Sequence, residues 1–139
     1  MQSTSVLKNI QKFKSEMIQS QKNLCTIIES ISRSGGRALL VGGAVRDIVL
    51  GSAVQDFDIE IHGLMPAQLE AILQRFGNVR LVGKQFGVFK IDGVDVDWSL
   101  PRSDGSGRKP EVVIDPFMPI RQAFIRRDLT MNAMGIDLV

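Results

Sequence analysis

Asp56 and Asp58 stand two residues apart in the run "DFDIEI". The run alternates, with Phe57, Ile59 and Ile61 on one face of a strand and Asp56, Asp58 and Glu60 on the other. Carboxylates that close disfavour each other's ionisation unless a cation lies between them. A hard divalent ion such as Mg2+ takes one or two carboxylates and leaves places for substrate phosphates. Asp95 and Asp97 in "VDVDWSL" are the candidates for a further acid from a neighbouring strand. A solvent-facing strand carries the same alternation with no chemistry attached, so this spacing alone leaves both readings open.

Two more clusters hold groups that suit phosphate. "VGGAVRD" sets Gly42 and Gly43 between an apolar run and a short helical pattern, with Arg46 in the first helical turn. Glycines there let the backbone approach a phosphate, and a helix start offers unpaired N–H groups to an anion. No G-K-[ST] follows and no G-x-G-x-x-G is formed, so this is neither a P-loop nor a dinucleotide fingerprint. A tight turn would also use Gly-Gly. "IRRDLTMNAM" supplies Arg126, Arg127, Asp128 and Asn132. Adjacent arginines suit forked contacts to phosphate oxygens. Asp128 and Asn132 share a helix face and can bond a ribose hydroxyl or a base edge, although a solvated helix with an internal Arg–Asp pair reads the same way. A phosphate cradle, an acid cluster and arginines for a polyphosphate tail are together the inventory for moving a nucleotidyl group off a triphosphate.

Positioning these groups requires a sheet and its helices. Residues 4–34 hold no Gly or Pro, and apolar residues recur at Val6, Ile10, Phe13, Met17, Leu24, Ile27 and Ile31. The pattern predicts one long amphipathic helix, or two with a break near Ser20, ended by "SGG". Such a helix lies across the domain that follows; its heptad-like seam also allows it to pair with a second chain. "RALLV", "DFDIEI", "VRLVG", "VFKI" and "VDVDWSL" read as strands, and "EVVIDP" as one more. "AVRDIVLG" and "PAQLEAILQRFG" read as helices, the second with proline at its start and glycine at its end. "DG" at Asp92–Gly93 signals a hairpin, "RSDGSGRKP" a polar loop, and "IRQAFIRRDLTMNAM" is helical in part. The order implies an α/β or α+β domain with a mixed or largely antiparallel sheet.

The bulk properties narrow the setting. The 139 residues suit one domain, and 44% apolar residues suffice for a core. A formal net charge of +2 excludes a general polyanion binder, so any nucleic acid must meet local clusters. Cys25 is the one cysteine, which excludes an intrachain disulfide and a cysteine-based zinc site. No apolar run approaches the ~20 residues of a membrane span, and no signal-peptide core stands at the N-terminus, so no membrane role and a cytoplasmic location are expected.

"LLVGGAVRDIVLGSAVQDFDIEI", "LVGKQFGVFKI", "DWSLPR" and "RRDLTMNAM" occur in one order that resembles the catalytic head of class II template-independent RNA nucleotidyltransferases. These are the tRNA CCA-adding enzymes and bacterial poly(A) polymerases of the polymerase-beta-like superfamily. The likeness runs from about residue 24 to the end of the chain. It implies a head of small mixed sheet and flanking helices over residues 36–139, preceded by a helical extension over 1–35. It also implies that Asp56, Asp58 and Asp97 bind two Mg2+ ions and are catalytic. Asp97 matches the acid five residues before the arginine of the family's "SLPR"-like segment, here Arg102. Gly42, Gly43 and Arg46 match its triphosphate-contacting G-G-x-x-R. Arg126, Arg127, Asp128 and Asn132 match the R-R-D motif that contacts the triphosphate and distinguishes ribose from deoxyribose. Leu129 and Met131 replace the commoner Phe and Ile, both apolar exchanges. The implied reaction moves NMP from ATP or CTP to an RNA 3′ end, with tRNA CCA addition favoured over poly(A) addition. In that family a neck domain after the head reads the base, and body and tail domains hold the tRNA. This sequence stops at Val139, so those domains are expected to be missing. That leaves a fragment, a head-only protein working with a separate RNA-binding subunit, or a nucleotide-binding or partner-binding module without catalysis of its own.

Overall fold

In a computed structural model the chain is described over residues 2–20, 22–54, 57–82, 87–104, 112–125 and 135–138. The expected N-terminal helix is two: α1 (Gln2–Ser20) and α2 (Lys22–Arg33). The Cys25 thiol lies 3.7 Å from the Met17 carbonyl oxygen. Along a straight helix those eight residues would span about 12 Å, so the chain bends back between the two helices. The apolar seam faces the protein's own interior. Met17, Leu24, Ile27 and Ile31 are buried, and Ile10 and Phe13 pack partly against the core. Burial of each α2 anchor contributes about 1.5–3 kcal/mol.

Strands β1 (Arg37–Val41), β2 (Phe57–His62), β3 (Val79–Val82), β4 (Val88–Ile91), β5 (Val96–Ser99) and β8 (Gly135–Asp137) form one sheet in the order β3-β4-β5-β2-β1-β8. The β2–β5 pair is parallel, and the other neighbours are antiparallel. A parallel pair needs a long crossover. Helix α4 (Pro66–Gln74) and the β3–β4 hairpin supply it. Pro66 opens α4, and Gln68 accepts a 2.8 Å hydrogen bond from the Met65 N–H, so the helix starts where proline and a third-position amide direct it. Helix α3 (Gly43–Val49) joins β1 to the segment before β2. Asn9 of α1 donates to the Val49 carbonyl at 3.4 Å, at the end of α3.

The two faces of the sheet differ. On one, Leu40, Ile59, Ile61, Phe89, Ile91, Val96 and Trp98 are buried in a single core with α2 and α4 residues. The other carries Asp58, Glu60, His62, Asp97 and Lys90. β2 is therefore an interior strand and not a solvent-facing edge. "RSDGSGRKP" is a loop only in part: Arg102–Asp104 forms β6, paired antiparallel with β7 (Val112–Ile114) in a two-stranded sheet. A short α5 (Ile120–Ile125) follows. β8, three residues long, was not expected from the sequence; it pairs with β1 through Leu39–Val41. No helix among the described residues is long and apolar enough to cross a membrane.

Candidate active site

The register of the central strands decides which acids meet. Asp58 of β2 is the direct partner of Asp97 of β5, and both side chains leave the same face. Neighbouring strands lie about 4.8 Å apart, close enough for one cation to contact both carboxylates. Asp95, the other candidate from "VDVDWSL", is exposed and precedes β5. Continuing the β4–β5 register by one residue sets Lys90 beside Asp97, and Lys90 Nζ lies 3.0 Å from Asp97 Oδ1.

On the other side of β2, Asp58 is the partner of Val41, the last residue of β1. The chain then bends at Gly42, whose φ of +76° disfavours other residues. A Cβ added there would sit 3.1 Å from Asp58 Oδ2, so glycine also admits the carboxylate. A Cβ at Gly43 would lie 3.5 Å from Arg46 Nη2, which shows the guanidinium folded back over the bend. Arg46 Nη2 is 3.6 Å from Asp47 Oδ1, a loose pair on a half-exposed side chain. The Asp58 carboxylate and the Arg46 guanidinium thus flank the Gly42–Gly43 backbone.

Asp56, Arg126, Arg127, Asp128 and Asn132 lie outside the described residues, as do Leu129 and Met131. Among the described residues no group of three or more His, Cys, Asp or Glu side chains is arranged to hold a metal. The donor chemistry nevertheless suits Mg2+: Asp58 and Asp97 present hard carboxylate oxygens on one accessible face. The Lys90–Asp97 pair is more than two-fifths exposed on both sides. Exposed pairs are worth about 0–1 kcal/mol, so a divalent ion can displace this one at small cost.

One polar pair escaped the sequence reading. Glu60 shares the face of Asp58, yet it is 6% exposed, and His62 two residues on is 5% exposed. His62 Nε2 lies 2.8 Å from Glu60 Oε1, and its Nδ1 faces the Met118 carbonyl oxygen at 3.4 Å. The alternation of "DFDIEI" gave no sign of this, because Asp58 and Glu60 share one face and only what packs over the Glu60–His62 end separates them in exposure.

Residues 38–139 match the family described as Poly A polymerase head domain. A multifunctional CCA protein of Methylobacillus flagellatus is 40% identical over 105 residues, covering 73% of this chain and 24% of that protein. Among solved structures, the Bacillus stearothermophilus CCA-adding enzyme in complex with CTP matches with a TM-score of 0.67 at 30% identity, over 84% of this chain and 27% of that one. The Thermotoga maritima CCA-adding enzyme complexed with tRNA matches with a TM-score of 0.64 at 25% identity, over 92% and 29%. The chain therefore spans about a quarter of the length of these relatives. With the family match covering most of its length and the mixed sheet matching theirs, the chain belongs to the poly(A) polymerase head domain family.

Proposed function

We propose that this chain is the catalytic head of a Mg2+-dependent, template-independent RNA nucleotidyltransferase. It transfers NMP from CTP or ATP to an RNA 3′ end, and tRNA is the favoured acceptor. The observation that carries this reading is the pairing of Asp58 with Asp97 beside the Gly42–Gly43 bend. Asp58 and Asp97, with Asp56 two residues before Asp58 in sequence, would hold the metal. When bound, Mg2+ lowers the pKa of an attacking hydroxyl and offsets charge on the leaving pyrophosphate. The chain's own part is to orient and neutralise. The bend lets a triphosphate approach the backbone, and Arg46 stands over it to offset charge on the phosphate oxygens. Arg126 and Arg127 would add forked contacts to the same tail, and Asp128 and Asn132 would read the ribose. The relatives named CCA proteins and the CCA-adding enzymes of like fold favour CCA addition over poly(A) addition. A reducing, cytoplasmic setting suits a chain whose Cys25 is a free thiol.

The Lys90–Asp97 ion pair favours a second reading, a nucleotide-binding module without catalysis, because it satisfies Asp97 without metal. One experiment separates the two. The chain is incubated with labelled CTP or ATP, Mg2+ and tRNA lacking its 3′ end, beside Asp58→Ala and Asp97→Ala. The enzyme reading expects incorporation that falls at least ~100-fold in both variants, the scale of losing a transition-state electrostatic contact, with melting unchanged. Equal incorporation by wild type and Asp58→Ala overturns the metal assignment. Nucleotide binding with no incorporation favours the module.

A further inference from the structure

Glu60 and His62 are the only buried charged or titratable side chains among the described core residues, and the reaction proposed above does not use them. Placing them inside is costly unless each is paired. His62 faces the turn at residues 115–118 through the Met118 carbonyl, and that turn is pinned to both acid-bearing strands. Beyond β2, the Gly63 N–H donates to the Pro116 carbonyl at 2.7 Å. Beyond β5, the Pro101 carbonyl accepts from the Asp115 N–H at 2.8 Å. Gly63 has φ +87°, and a Cβ there would lie 2.9 Å from the Gly35 carbonyl oxygen, so this anchor tolerates little displacement. Met118 is buried at 6% exposure, its carbonyl faces His62 Nδ1, and α5 begins two residues later. In sequence α5 runs directly into Arg126.

We infer that the Glu60–His62 pair is a positioning latch. It holds the 115–118 turn against β2 and so fixes the origin of α5 relative to Asp58. Glu60 orients the imidazole, and His62 carries the contact to the turn. Both are positioning residues that touch no substrate. The inference rests on the proposed function for what α5 leads to, while the latch itself is geometric.

The test uses the full chain in two variants. His62→Leu keeps apolar volume and removes both polar contacts. His62→Asn returns a donor near the position of Nδ1. Amide hydrogen exchange is the first readout. The latch expects exchange over residues 118–125 to accelerate about tenfold beyond any change at the β1 and β2 amides in His62→Leu, the factor for losing one net hydrogen bond. It expects His62→Asn to restore most of the protection. Affinity for ATP relative to AMP, with Mg2+, is the second readout. The ratio should fall in His62→Leu and recover in His62→Asn, because the arginines after α5 are assigned to the triphosphate. Unchanged exchange at 118–125, acceleration of all amides alike, or His62→Asn behaving as His62→Leu overturns the latch. Wild-type chain that binds no ATP counts against the proposed function, and the exchange pattern still decides the latch.

Discussion

Lys90 is the side chain whose role the acid pair most directly determines. Its ammonium, 3.0 Å from Asp97 Oδ1, sits where a cation is wanted and contributes one charge where a divalent ion would contribute two. A unit charge about 6 Å from a divalent ion in water opposes its binding by about 1.4 kcal/mol. Lys90→Gln is therefore expected to lower the Mg2+ concentration for half-maximal nucleotide binding by up to about tenfold. Stability should change by less than about 1 kcal/mol, because the pair is exposed. A Mg2+ titration followed by nucleotide fluorescence measures the first and a urea melt the second; a raised Mg2+ requirement would show that Lys90 assists the site. At this scale the sequence disclosed chemical types more readily than partners. The D-x-D spacing and the Gly-Gly bend were legible because each is a local pattern with a local cause. Lys90 was not, since its contact with Asp97 depends on a register between β4 and β5 that no spacing within either strand encodes. Glu60 was set on one polar face with Asp58, and its burial with His62 depends on the remote 115–118 turn, which no spacing in β2 encodes.

Elements differ in how much of their placement is local. The bend between α1 and α2 was legible as a gap in the apolar seam at Ser20, and α4 as a Pro-to-Gly helix. The parallel β2–β5 pairing, on which the acid pair depends, was not: it results from a crossover through α4 and the β3–β4 hairpin, and it is set by packing and not by propensity. β7 was legible from the β-branched run in "EVVIDP", whereas β6 lies in a polar run and β8 carries one Ile in three residues, too little pattern to register. The folded-back helix pair has a titration signature of its own. Burial between α1 and α2 pushes the Cys25 thiol above its ordinary value. Below that ordinary value the thiol is neutral in both states and has no effect. Above it the unfolded chain releases the proton while the folded chain retains it, so the unfolded state gains and stability falls as pH rises. Urea midpoints should therefore decline more steeply from pH 8 to pH 10 in wild type than in Cys25→Ala, the other titrating groups being common to both. Parallel slopes would show that the thiol ionises as freely in the fold as out of it.

For the whole molecule the balance of charge bears on what the chain does with RNA. Its 17 basic residues are nearly offset by 15 acidic ones, leaving +2. Long-range attraction to a polyanion is therefore weak, and binding must come from local contacts. Among the described basic residues, Lys12, Arg33, Arg37, Arg46, Arg80 and Lys90 each have an acidic partner within 4.0 Å. The basic side chains assigned to phosphate are Arg46, Arg126 and Arg127, and they are assigned to the nucleotide before the RNA. If all three met single-stranded phosphates, log affinity would fall with log salt at a slope of about −2. Labelled tRNA lacking its 3′ end, titrated with the chain from ~50 to ~200 mM KCl, should show a slope no steeper than that, and adding ATP with Mg2+ should flatten it further by occupying the same arginines. A slope beyond about −5 would require more phosphate contacts than the three arginines assigned here. It would also place RNA recognition inside the head, whereas a shallow slope leaves the head with a weak grip on the RNA.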